Sequence, residues 1–81
     1  MAKKLTGFAL WDALADEANH AEAKATKMRT DADPAVRVHA FLFDRAAEFW
    51  QDVFDLVRND CPLSRNQAFA RDYIASGGGR P

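Results

Sequence analysis

Residues 30–34 read Thr-Asp-Ala-Asp-Pro, and this short stretch decides how the chain folds. Aspartate is a favoured N-cap, and proline is tolerated at the first helical position, where its missing N–H has no helical partner. Asp33 and Pro34 therefore predict that one helix starts immediately after another has ended. Because the connection is so short, the two helices are expected to run antiparallel as a hairpin.

The segment before this break has the apolar spacing of a helix. Thr6 is a candidate N-cap, and we predict a first helix over about residues 7–29. Its apolar side chains recur at spacings of three and four, which places them on one narrow stripe. The stripe consists of Trp11, Leu14, Ala18, Ala21, Ala25 and Met28.

The segment after the break predicts the longest helix, over residues 34–59. At about 100° per residue, its apolar side chains cover roughly half of the circumference. A single neighbouring helix covers less than that, so we expect further packing by a third helix, a second chain or both. The apolar set is Val36, Val38, Leu42, Phe43, Ala46, Phe49, Trp50, Val53, Phe54, Leu56 and Val57.

A Ser-x-x-Gln capping box at Ser64 and Gln67 predicts a short third helix over residues 65–75. The chain is thus expected to be all-α, with two long helices in an antiparallel hairpin plus a short third helix, assembling into a dimeric bundle. Residues 1–76 form a single domain in this interpretation. The glycine-rich residues 77–81 are predicted to be a flexible tail.

Composition excludes several classes of protein. The chain has 81 residues, of which 48% are hydrophobic and 28% charged, a balance typical of a folded domain rather than of disorder. A net charge of −1 argues against an electrostatic nucleic-acid binder. The lone Cys61 fits a reducing compartment, and we find no signal peptide or membrane span, so a cytoplasmic location is expected. Whether Cys61 forms an intermolecular disulfide stays open.

One flank of the second helix is the candidate protein interface. Val38, Phe49 and Leu56 lie on the flank that the first helix leaves uncovered. Phe41 stands near Asp52 on the more polar side, and an exposed aromatic residue is a candidate anchor for a partner. We predict that these five residues contact another protein.

His39 falls within the apolar face of the same helix, so we predict a buried polar group. One interpretation is a core histidine that bonds a backbone carbonyl or a carboxylate. The other is a pH-sensitive switch at an interface.

No catalytic residue, metal or cofactor is predicted. Glu17 and His20 have the Glu-x-x-His spacing of helical di-iron sites, with Glu48 as a further carboxylate, but His20 points away from the apolar stripe, and a solvated helix surface is the favoured explanation. Cys61 and Ser64 have no histidine nearby in the sequence, as nucleophilic catalysis would require.

An alternative function is the binding of a nucleotide or another anion by an oligomer. Arg65, Arg71 and Tyr73 lie on or beside the third helix and are candidate contacts, together with Lys24 or Lys27. The stretches Arg45-Ala46-Ala47-Glu48 and Cys61-Pro62-Leu63-Ser64-Arg65 resemble small phage-encoded helical hairpins that sequester cyclic-nucleotide signals. The resemblance ends at Ala68 and defines no family.

The absence of catalytic motifs and the wide apolar face favour a non-enzymatic protein–protein interaction module. We expect a homodimer that also binds a host protein complex. The abundance of alanine and arginine is typical of GC-rich bacterial or phage genomes, and would suit a phage or mobile-element protein that inhibits or regulates that complex.

Overall fold

The structure is a computed structural model that describes residues 4–77. It contains α1 (Gly7–Arg29), α2 (Pro34–Arg58) and α3 (Arg65–Ala75), with no strand among the described residues. The all-α class and the close packing of α1 against α2 as a hairpin are confirmed. Of the predicted flexible tail, residues 78–81 lie outside the described part of the chain.

Two of the three predicted helix starts are capped by side chains. The Asp33 carboxylate accepts a hydrogen bond from the backbone N–H of Ala35 at 2.9 Å. At Ser64 both bonds of the capping box are present: the hydroxyl accepts from Gln67 N–H at 3.2 Å, and the Gln67 side chain accepts from Ser64 N–H at 2.9 Å.

The start of α1 is held differently from the prediction. Thr6 precedes the helix, but its side chain makes no capping bond. Gly7 has a φ of +56°, a left-handed conformation that glycine adopts without strain. Leu5 N–H donates to the carbonyl of Ala75 at 2.7 Å, so this segment is fixed to the end of α3.

The end of α2 is set by Asp60 rather than by Pro62 alone. Asp60 has a φ of 54°, and Cys61 N–H donates back to the carbonyl of Leu56 at 2.8 Å. This backbone bond belongs to the Schellman type of helix end, usually formed with glycine at the left-handed position. The helix consequently ends at Arg58, one residue earlier than predicted.

The large buried side chains lie where the three helices meet, which we call the three-helix end. Leu14, Val53 and Ile74 are at most 2% exposed and come from α1, α2 and α3 respectively. They share one cluster with Leu10, Ala13 and Ala75, against which half-buried apolar residues pack. These are Leu5, Phe49, Trp50, Phe54 and Val57.

Small residues and polar contacts hold the opposite end, next to the α1–α2 turn, which we call the two-helix end. The buried residues in this part of the hairpin are Ala18, Ala21, Ala25 and Ala40. Arg29 donates to both carboxylate oxygens of Asp44 at 2.6 Å across the helices. Both side chains of this ion pair are nearly half exposed, so it contributes little to stability.

The predicted rotation of the two helices is right in part. On α1, Leu14, Ala18, Ala21 and Ala25 of the predicted stripe are buried, whereas Trp11 and Met28 are only half-buried and Leu10 and Ala13 are buried instead. On α2, α1 packs along Ala40 and Asp44 near the turn, at the edge of the apolar face, whereas Val53 near the centre of that face is fully buried at the three-helix end.

His39 is consequently exposed, and the prediction that it is buried is wrong. Its Nδ1 lies 2.7 Å from the carbonyl oxygen of Ala35 in the preceding turn of the same helix. The predicted backbone-carbonyl partner is thus present, but it lies within α2 rather than across the bundle. The physical reason is that alanine side chains let α1 approach the small-residue edge of α2, and this edge does not include His39.

Candidate protein interface

A largely apolar strip runs along one side of α2; its Phe49 packs against the core cluster, and its Asp52 also borders the groove between α1 and α2. At about 100° per residue its members fall within an arc of roughly 100°. We call this surface the α2 strip, and it comprises Val38, Phe41, Leu42, Arg45, Phe49, Asp52 and Leu56.

The side chains of the α2 strip that lie nearest the α1–α2 turn are more than half exposed. Val38 is 66% exposed, Phe41 54% and Leu42 51%. These three are large apolar side chains within two turns of one helix. A contiguous apolar patch of this kind marks an interaction site more often than an isolated exposed residue does.

The rest of the α2 strip lies beside the three-helix end. Phe49 and Leu56 are half-buried, and Phe49 packs against the core cluster with its ring in edge contact with Trp50 at 5.4 Å between centroids. α3 packs near Val53 and leaves Val38 and Leu42 free. The five predicted interface residues therefore share one side of α2, and Phe41 lies next to other exposed apolar residues rather than alone.

Many of the buried residues are small, whereas several large apolar side chains are exposed. Seven of the eleven buried apolar residues are alanines, whereas the exposed large apolar residues number six. Burial of a large apolar side chain is worth roughly 1.5–3 kcal/mol, so the described chain leaves a substantial part of its hydrophobic stabilisation unused. The exposed six are Phe8, Val38, Phe41, Leu42, Phe69 and Tyr73.

A period of seven residues in the α2 strip was missed from the sequence. Leu42, Phe49 and Leu56 are spaced by seven, as are Val38, Arg45 and Asp52. The first column has the apolar seven-residue spacing of a helix that packs along a second helix, and the second column adds one apolar and two charged residues beside it.

The two charged members of the α2 strip have no partner in the described part of the chain. Arg45 and Asp52 are exposed and take part in none of its hydrogen bonds or ion pairs. The neighbouring Asp44, in contrast, is engaged by Arg29. Arg45 and Asp52 are thus available to a partner.

A second apolar surface lies on α3. Trp50, Phe69, Ala70 and Tyr73 line a shallow depression. Phe69 is 75% exposed, so the depression is open to solvent. Its walls offer no charged group to orient a ligand.

The predicted anion contacts do not converge. Arg71 is engaged by its neighbour Asp72, with guanidinium-to-carboxylate distances of 3.0 Å. Tyr73 follows Arg71 by two positions and so points to a different side of α3, at about 160° around the axis by helical geometry. Arg65 lies at the first position of the helix, more than two turns before Tyr73. Lys24 is placed over the ring of Phe43, 4.8 Å from its centroid.

The candidates for metal binding are likewise dispersed. Residues 4–77 contain no group of three or more His, Cys, Asp or Glu side chains that could hold a metal ion. His20 is exposed beside Ala23, Lys24 and Lys27, whereas Glu48 lines a different groove between α1 and α2.

The candidate nucleophiles have local structural contacts. The Cys61 thiol contacts the carbonyl of Asn59 at 3.7 Å, and the Ser64 hydroxyl caps α3. In the part of the chain that the structure describes, no helix has the length and apolar character needed to cross a membrane.

Comparisons with known proteins give no match to this chain, whether to a family model, to a curated protein or to a solved structure. The α2 strip therefore stands on its own geometry as the best-supported candidate site.

Proposed function

We propose that this chain is a non-enzymatic protein–protein interaction module that binds its partner through the α2 strip. The observation that carries the proposal is the exposure of Val38, Phe41 and Leu42 side by side on one helix face. Covering such side chains removes apolar surface from water, which is the main driving force of protein association. Aromatic residues such as Phe41 are frequent anchors at interfaces.

The remaining surface supports a binding role better than a catalytic one. Cys61 and Ser64 make local structural contacts, and the predicted anion-binding side chains point to different sides of α3. A partner that covers the α2 strip would bury its apolar residues and meet the unpaired Arg45 and Asp52.

Site-specific photo-crosslinking tests the proposal. A photoreactive phenylalanine analogue at position 41 should form protein adducts in the cells from which the sequence comes, and with the purified chain. The matched control is the same analogue at Asn19, which is exposed on the face of α1 opposite its buried stripe. Absence of adducts at position 41, or equal adducts at both positions, would contradict the proposal.

A further inference from the structure

We infer that the partner on the α2 strip is a second copy of this chain, with the two α2 helices packed antiparallel about a two-fold axis near Glu48 and Phe49. This inference rests on the proposed function, because it names the occupant of the same site. It is carried by the positions of the two unpaired charges and by the period of seven residues in the strip.

The period identifies a helix as the occupant. The strip from Val38 to Leu56 extends for about 27 Å at 1.5 Å per residue. Leu42, Phe49 and Leu56 form an apolar column that a second α-helix can cover, and Arg45 and Asp52 lie beside it in the other column. A flat sheet or a globular pocket would not match a repeat of seven.

The charges identify that helix as a second α2. Arg45 and Asp52 belong to the same column and have opposite charge. In a symmetric antiparallel pair whose axis passes midway between them, each Arg45 lies opposite Asp52 of the second copy, and two equivalent ion pairs form. The strip is therefore complementary in charge to itself.

The same axis brings apolar residues together. Phe41 then lies opposite Leu56 of the second copy, and both copies of Phe49 lie beside the axis. This covers Phe41, which is 54% exposed in the described part of the chain. The net charge of −1 per chain adds little overall repulsion to such a pairing.

A parallel pair is disfavoured by the same residues. In that arrangement each residue faces its own copy, so Arg45 faces Arg45 and Asp52 faces Asp52. Like charges held within one interface oppose association, and a polar residue in a helical seam needs a matching partner. The two orientations therefore predict opposite responses to charge reversal.

The test uses the full chain and the single variants Arg45→Asp and Asp52→Arg in sedimentation equilibrium. The wild type should dimerise, and each variant alone should raise the dimer dissociation constant by about tenfold or more, because both contacts become repulsive. An equimolar mixture of the two variants should restore association as a heterodimer, since all four charges are then matched.

Matched controls separate the local effect from the change in net charge. Lys27→Asp and Asp12→Arg make the same charge changes at exposed positions of α1 and should leave the dissociation constant unchanged. Because Arg45 and Asp52 are exposed and take part in no hydrogen bond or ion pair among the described residues, the variants should keep the far-ultraviolet circular dichroism of the wild type.

Three results would overturn the inference. These are a wild type that stays monomeric at several hundred micromolar, single variants that dimerise like the wild type, and a mixture of folded variants that fails to recover. Crosslinking at position 41 distinguishes this failure from that of the proposed function. Adducts at twice the chain mass of 9.0 kDa support self-association. Adducts with other proteins only would retain the proposed function and reject the second copy.

Discussion

At the three-helix end the hairpin buries Leu14, Val53 and Ile74, whereas the buried residues near the α1–α2 turn are all alanines. The first arrangement is stabilised by the volume of its side chains. The second depends on the close approach of two backbones, with Asp33 capping α2. The end with the smallest core exposes three neighbouring large apolar residues of one helix, Val38, Phe41 and Leu42, whereas the other three exposed large apolar residues are divided between α1 and α3.

Removal of core volume should have the largest effect. Leu14 is fully buried, so Leu14→Ala is expected to lower the free energy of unfolding by about 2–5 kcal/mol, through lost transfer energy and a residual cavity. Urea denaturation monitored by circular dichroism measures this. Leu42→Ala is the matched control and should change monomer stability by less than about 0.5 kcal/mol. If Leu14→Ala and Leu42→Ala lower the free energy of unfolding equally, the three-helix end is not stabilised by the volume of its buried side chains.

Addition of volume at the two-helix end should have an intermediate effect. Ala25 is fully buried, so Ala25→Leu should push the helices apart and reduce stability by about 1–3 kcal/mol. Ala23→Leu makes the same chemical change at an exposed position of the same helix and should be nearly neutral. Thermal unfolding of both variants provides the comparison, and a neutral Ala25→Leu would mean that the helices are not closely packed there.

Loss of the α2 cap should have the smallest effect of the three. Asp33→Ala removes the bond to Ala35 N–H and should reduce stability by about 1 kcal/mol. Thr6→Ala is the control, because Thr6 makes no side-chain capping bond, and its change should be smaller. If both substitutions reduce the free energy of unfolding equally, the Asp33 cap does not stabilise the two-helix end.

The helix limits could be predicted because they depend on local chemistry. Asp33 and Pro34 start one helix, and Ser64 with Gln67 starts another, wherever the rest of the chain lies. The rotation of α1 relative to α2 could not be predicted from the sequence, since alanine fits against many surfaces and leaves several packings close in energy. The left-handed Asp60 was missed because that position usually carries glycine.

The candidate site was predictable in part for the same reason. Val38, Phe49 and Leu56 were identified by their place on the helix circumference, which the α-helical period alone determines. His39 was predicted to be buried and is exposed, because the local sequence does not determine which side of α2 packs against α1. That Arg45 makes no ion pair in the described chain could not be predicted, because it depends on where α1 places its charged side chains.

The hydrogen bond from Leu5 to Ala75 also has a consequence for the order of folding. It joins residues about 70 positions apart, so its formation closes a loop through almost the whole described chain and carries a large entropic penalty unless the hairpin already exists. Contacts between α1 and α2 near the turn are much more local and should form first. The end with the larger core would then assemble last, and the Leu5 amide would become protected from hydrogen exchange only when α3 has docked.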